Sequence, residues 1–424
     1  MPRRSRQWTR LDNAAKIFPS NSTKHDTKVF RFACELYETV DPAVLQQALD
    51  KTIELFPNYR CILKRGLFWY YLEQSDLKPM VQKENKPPCS EIYDKNVKTL
   101  LFEVSFYHRR INLEVYHALS DGTGALQFLR MLVFHYLTKM HADRFPEELP
   151  QMDYDASDRQ KMDDSFSRYY AGKNDKAEGK EKHRVAYKLR GARLPENRIR
   201  VIEGIMPVKE VIRAAHAHHA TLTVFLCAVL VQAIREEMTV RELSKPVVLT
   251  VPVNLRNYFD SQSARNFFSV INVCYDFNEQ PEAFADIVTH LAGHFKEELT
   301  NERMQERLNE LFAIEKNPFA RIAPLALKDL CLKIAHDYTN REITAAFSNI
   351  GKVDMPEALR EYIRLFDVFV STDRLQICMC SFEENLTLSF TSPFVGADVQ
   401  RRFFRTLTTL GVPVEVVTSR LDQE

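Results

Sequence analysis

Apolar and polar positions alternate along residues 28–38, Lys-Val-Phe-Arg-Phe-Ala-Cys-Glu-Leu-Tyr-Glu, which is the period of a strand. A helix is expected from Pro42. Asp41 is placed to cap it, and proline stands in the first turn, where a missing N–H costs nothing. That helix should end before Pro57, and residues 60–72 predict a hairpin turning at Lys64-Arg65-Gly66. Residues 100–107 and 111–117 read as further strands, separated by His108-Arg109-Arg110. From Gly124 to Leu137 the apolar residues fall at 126, 129, 133, 136 and 137, the spacing of one helix face. The pattern then stops. Residues 141–198 are dense in Asp, Lys, Glu, Arg and Gly, a composition that cannot bury a core, and are read as a mobile crossover.

The second half resumes the mixture, with helices expected at 208–219, 222–238, 281–300, 321–336 and 398–409. Strands are expected at 246–255, 269–277, 343–349, 364–371, 375–382 and 386–392. Helices and hairpins interleave without steady βαβ alternation, so the fold class is α/β of the α+β kind, with mixed sheets and helices packed on them. A chain of 424 residues is too long for one ordinary core and suits two lobes. The division drawn is 1–150, a crossover at 151–198, and 199–424, with a cleft between lobes as the natural place for a site.

Composition narrows the partners more than the chemistry. The chain is 45% hydrophobic and 27% charged, with 58 Lys plus Arg against 57 Asp plus Glu. A formal net charge of +1 gives no electrostatic reason to expect nucleic acid or a membrane surface. The basic start is followed by no apolar run, so no secretory signal is expected. The longest apolar stretch, Leu222 to Ile234, is broken by Gln232 and followed by Arg235-Glu236-Glu237, and reads as a buried core helix rather than a membrane span. The eight cysteines, several inside apolar runs, read as free buried thiols, and a cytoplasmic location follows.

Candidate chemistry concentrates after the strand Ile111-Asn112-Leu113-Glu114-Val115-Tyr116-His117. Ile111, Leu113, Val115 and His117 share its apolar face, so His117 points inward at the strand's end. Ser120-Asp121-Gly122 then turns the chain into the next helix. An imidazole with an ordinary pKa of about 6.5 at such a place is suited to proton transfer. From spacing alone the position suits a satisfied core histidine better. Other histidines carry less. His216, His218 and His219 end a helix, where they meet its dipole favourably, and His290 and His294 lack the Glu of a zinc-binding His-Glu-x-x-His. No metal is expected.

His117-Ala-Leu-Ser-Asp-Gly122 resembles the His-x-x-x-Asp-Gly motif of the chloramphenicol acetyltransferase-like superfamily, which includes condensation domains, wax ester synthases and alcohol acetyltransferases. Val251-Pro252-Val253-Asn254-Leu255-Arg256 resembles the strand that carries an Arg pairing with the motif's Asp. Phe347-Ser348-Asn349-Ile350-Gly351 is similar to the Ser-Asn-x-Gly turn of condensation-type relatives. Condensation domains usually carry two adjacent histidines, and here the first is Tyr116, so the chain looks nearest the alcohol O-acetyltransferase-like branch.

The resemblance implies two acetyltransferase-like lobes with a tunnel between them. It implies no permanently bound cofactor, acyl-CoA as co-substrate, and a small-molecule alcohol or amine as acceptor. His117 would be the catalytic base, Asp121 and Arg256 a structural ion pair beside Gly122, and Tyr116, Asn254, Ser348 and Asn349 candidates for the tunnel wall. Two alternatives stay open: an acyl or peptidyl carrier protein as donor, or a catalytically silent binding protein of the same fold.

Overall fold

The computed structural model describes residues 8–145, 152, 158–161, 163–172 and 184–419. The basic start, residues 1–7, and much of the charged crossover lie outside the described residues.

The first sheet has five strands, in spatial order Ile363–Val370, Val29–Leu36, Arg110–Tyr116, Phe102–Tyr107 and Gln82–Lys83. The second has seven: Phe268–Tyr275, Val247–Asn254, Ala345–Lys352, Leu375–Phe382, Asn385–Ser392, Arg200–Pro207 and Glu415–Thr418. Ala345–Lys352 runs parallel to both of its neighbours while the other pairs of that sheet are antiparallel, so the sheet is mixed. A small sheet joins Trp8–Arg10 to the hairpin Cys61–Arg65 and Tyr70–Gln74. The hairpin turns at Gly66–Trp69, later than Lys64-Arg65-Gly66, because Lys64 and Arg65 still pair across the strands.

Each sheet has its own core. The first gathers Phe32, Phe56, Tyr59, Phe128 and Leu132, and the second gathers Phe225, Leu230, Phe267, Phe347 and Phe390. Local signals set most elements. Asp41 Oδ1 accepts from the N–H groups of Ala43 and Val44 at 2.8 and 3.1 Å, starting the helix Pro42–Thr52 where the proline placed it. The helix Leu222–Arg235 is buried along most of its length within the second core. Among the described residues no single helix is long and apolar enough to cross a membrane; the pair Val208–Ala217 and Leu222–Arg235 passes such a test only jointly, bent by 78°. The cysteines are free thiols; Cys331 is exposed and Cys274 half-buried, and the rest are buried.

Three expectations need correction. Ile363–Val370, placed in the second lobe by its position, pairs with Val29–Leu36 in the first sheet, Asp367 opposite Ala33. The division at residue 199 therefore does not separate the sheets. Second, Asn301–Lys316 is a helix where the sequence pattern predicts no element. It is strongly charged, and its buried apolar residues among those described, Met304, Leu308 and Phe312, are spaced by four along one face. Third, parts of the crossover are packed: Phe166 is fully buried against Phe267, and the backbone N–H groups of Ala186 and Tyr187 bond to Arg341 and Pro246.

Candidate active site

Arg110–Tyr116 is the central strand of the first sheet, and every residue of it after Arg110 is buried, so both of its faces are covered. The face opposite Ile111, Leu113 and Val115 carries Glu114, whose carboxylate meets Arg31 at 3.0 Å. His117 follows directly, its N–H bonded to the Lys28 carbonyl at 2.9 Å. The chain then turns through Leu119 N–H to Tyr116 O at 2.9 Å and enters the helix Gly122–Met140.

The His117 ring is half-buried in a cage of aromatic rings. Phe18 stacks on it at 4.3 Å between centroids, Phe30 presents its edge at 5.0 Å, and Phe268 lies tilted at 5.5 Å. Burial in this apolar cage holds the imidazole below its ordinary pKa, and the Asp121 carboxylate only partly opposes the effect. The ring is thus held neutral at neutral pH, the form that can accept a proton. Its Nδ1 lies 3.1 Å from Asn266 Oδ1.

Asp121 is the N-cap of the helix. Its Oδ1 accepts from Gly124 N–H at 3.0 Å. Its Oδ2 accepts from Arg256 Nη1 and from the Phe267 N–H, each at 2.8 Å. Arg256 in turn donates through Nη2 to the carbonyls of Ser263 and Arg265 at 2.8 and 2.6 Å. Ser120 Oγ reaches the Ala264 carbonyl at 2.6 Å. The segment Ser263–Phe267, which carries Asn266, is thereby fastened to the His117 turn at several points. Gly124 exists for this contact: a Cβ there would lie 2.2 Å from the Ala264 oxygen and 2.3 Å from Ser120 Oγ. Gly122 is less constrained, a Cβ meeting Ile350 Cδ1 at 3.0 Å.

The remaining candidates divide. Asn254 Oδ1 accepts from Arg256 N and Nη1 at 3.1 and 3.2 Å, so it serves the arginine. Tyr116 is fully buried, stacked on Tyr93 and bonded through its hydroxyl to Ser22 Oγ at 2.9 Å, and burial pushes its pKa up. It belongs to the packing behind His117. Asn349 is exposed and bonds Thr223 Oγ1 at 2.9 Å, beside the half-buried Ser348; the strand bulges there, with Gly351 at φ 90°. Its neighbour Ile350 touches the Gly122 end of the motif.

Asp12, Phe18, Asn266 and Arg265 were not legible as site residues. Asp12 lies over a hundred positions from His117 and Asn266 lies 149 away. Neither belongs to a periodic run. Two cavities of the second lobe, about 170 Å³ beside Tyr187 and Gln400 and about 370 Å³ beside Gln232 and Arg402, share no lining residue with the His117 cluster. Among the described residues no group of three or more His, Cys, Asp or Glu converges as metal ligands.

No protein-family model matches the chain, and no curated protein matches it in sequence. Solved structures do. Polyketide synthase associated protein 5 from Mycobacterium tuberculosis superposes with a TM-score of 0.62 at 13% identity, covering 95% of this chain and 97% of that one. TRI101 of F. graminearum, crystallised with coenzyme A and T-2 mycotoxin, gives 0.64 at 11%, covering 96% and 99%. The first condensation domain of the CDA synthetase gives 0.59 at 15%, covering 96% of each chain. The chain therefore has, over nearly its whole length, the two-lobed fold shared by condensation domains and TRI101, the chloramphenicol acetyltransferase-like fold.

Proposed function

We propose that the protein is an acyltransferase that moves an acyl group from an acyl-CoA thioester to a hydroxyl or amine acceptor. The observation that carries this reading is His117: a half-buried imidazole, held neutral by its apolar cage, at the end of a central strand, with the motif's carboxylate committed elsewhere. His117 takes the proton from the acceptor as its oxygen or nitrogen attacks the thioester carbon. The C–S bond then breaks, and His117 returns the proton to the leaving thiolate. Nothing is consumed besides acceptor and thioester, and no covalent enzyme intermediate forms.

A neighbour crystallised with coenzyme A and T-2 mycotoxin supports CoA as the donor. The fold is also that of condensation domains, so a carrier-protein thioester is the arm the experiment must separate.

The test is a transfer assay across acyl-CoAs with wild type and His117→Ala. A fall of about 10²–10⁴ in kcat is expected for loss of a general base. Residual activity within tenfold of wild type would remove His117 from that role. The wild-type rate should be flat at neutral pH and fall on an acid limb below about 6.5, because burial lowers the pKa of a base that must be unprotonated. A thermal-shift screen with CoA, acyl-CoAs and an acylated carrier protein identifies the donor, since a ligand of the native state raises the melting temperature.

A further inference from the structure

Resting on that reading of His117, we propose that Asn266 is a positioning residue that places the proton on Nδ1 of His117, with Asp12 fixing the direction of the Asn266 amide. The Ala15 N–H points at Asp12 Oδ1 at 2.7 Å, and the Asn266 N–H points at Asp12 Oδ2 at 3.4 Å. The Arg265 guanidinium lies 3.6 Å from the same Oδ2. Backbone amides and a guanidinium only donate, so both oxygens of this buried carboxyl act as acceptors.

The side-chain group of Asn266 facing Asp12 is its NH₂, 3.3 Å from Oδ2. That choice turns Oδ1 towards His117. Oδ1 only accepts, so the Nδ1 it meets at 3.1 Å carries the hydrogen. Nε2 is left with the free lone pair, which is the form a proton-accepting base requires.

The arrangement has the logic of a histidine oriented by a third group, with an amide in place of a carboxylate. An amide fixes the tautomer without adding a negative charge, so the cage can still keep the imidazole neutral. It also gives the Asp121–Arg256 pair a task in the chemistry. Asp121 Oδ2 holds the N–H of Phe267, the residue next to Asn266, and Arg256 holds the carbonyls on either side of Ala264. The ion pair thus sets where Asn266 stands against His117.

The test is ¹⁵N-histidine NMR and steady-state kinetics on wild type and Asn266→Leu, with the fold checked by thermal melting. Wild-type His117 should give the signature of a proton on Nδ1 at pH 7.5. In Asn266→Leu the proton should spread onto Nε2, kcat should fall about 10–100-fold, and KM for acyl-CoA should stay within about twofold. Because the lost acceptor stabilised the imidazolium, the acid limb of the rate should also move to lower pH. Should the leucine variant not fold, Asn266→Ser, whose hydroxyl is too short to reach Nδ1, gives the same readouts. A variant that keeps the Nδ1–H signature with kcat and acid limb unchanged overturns the proposal. The NMR result does not depend on transfer activity, so it separates this failure from failure of the acyltransferase reading.

Discussion

Asp121 accepts three hydrogen bonds on two oxygens, one from its own helix and two from the far lobe. Its Arg256 partner is nearly as buried, with 9% of its side chain exposed. Breaking such a pair by removing one member costs about 3–5 kcal/mol, because the other charge stays buried. Arg256 keeps the carbonyls of Ser263 and Arg265, so Asp121→Ala should fall near the lower end of that range. Urea unfolding of Asp121→Ala, Arg256→Met and the double variant measures this. The double variant is expected to lose clearly less than the sum of the two, and strict additivity would show that the pair is not coupled.

At the scale of elements, the helix Gly122–Met140 and the segment Ser263–Phe267 touch through a glycine. On helix propensity alone Gly124→Ala should stabilise by about 1 kcal/mol. The Cβ would meet the Ala264 oxygen at 2.2 Å, a backbone atom that cannot rotate away. Overpacking of this kind costs about 1–3 kcal/mol, and here it displaces the segment carrying Asn266. Lower melting temperature and lower kcat together are therefore expected. Gly293, inside the helix Phe284–Glu298 with nothing near its Cβ position, is the control, and Gly293→Ala should stabilise by about 0.5–1 kcal/mol. If the two variants behave alike in thermal melting, steric crowding is not what Gly124 avoids.

For the whole molecule, the exchange of Ile363–Val370 into the first sheet joins the lobes more firmly than a cleft between independent domains would. An ion network runs with it. Arg110 donates to both oxygens of Glu203 at 2.8 Å and to Glu35 at 2.9 Å, and Arg364 reaches Glu35 at 2.7 Å. A fragment of residues 1–198 would leave Val29–Leu36 as a bare hydrophobic edge and strip Arg110 of Glu203 and Glu35 of Arg364. Expressed alone it should aggregate and show no cooperative melt. A soluble monomeric fragment with a sharp transition would contradict this, and co-expression with 199–424 should restore the fold.

Residue order by itself determined the local elements and the motif. Asp41-Pro42 starts a helix, the alternation at 111–117 makes a strand, and His117 ends it, because capping and side-chain period act over a few residues. The Asp121–Arg256 distance came within reach only through resemblance, since 135 residues separate them. Tertiary structure alone decided the rest. Which sheet Ile363–Val370 joins depends on a long-range edge that a period of two cannot identify. The proton on His117 is set by Asn266 and Asp12, whose hydrogen bonds to each other and to the ring exist only once chain segments remote in sequence have packed together.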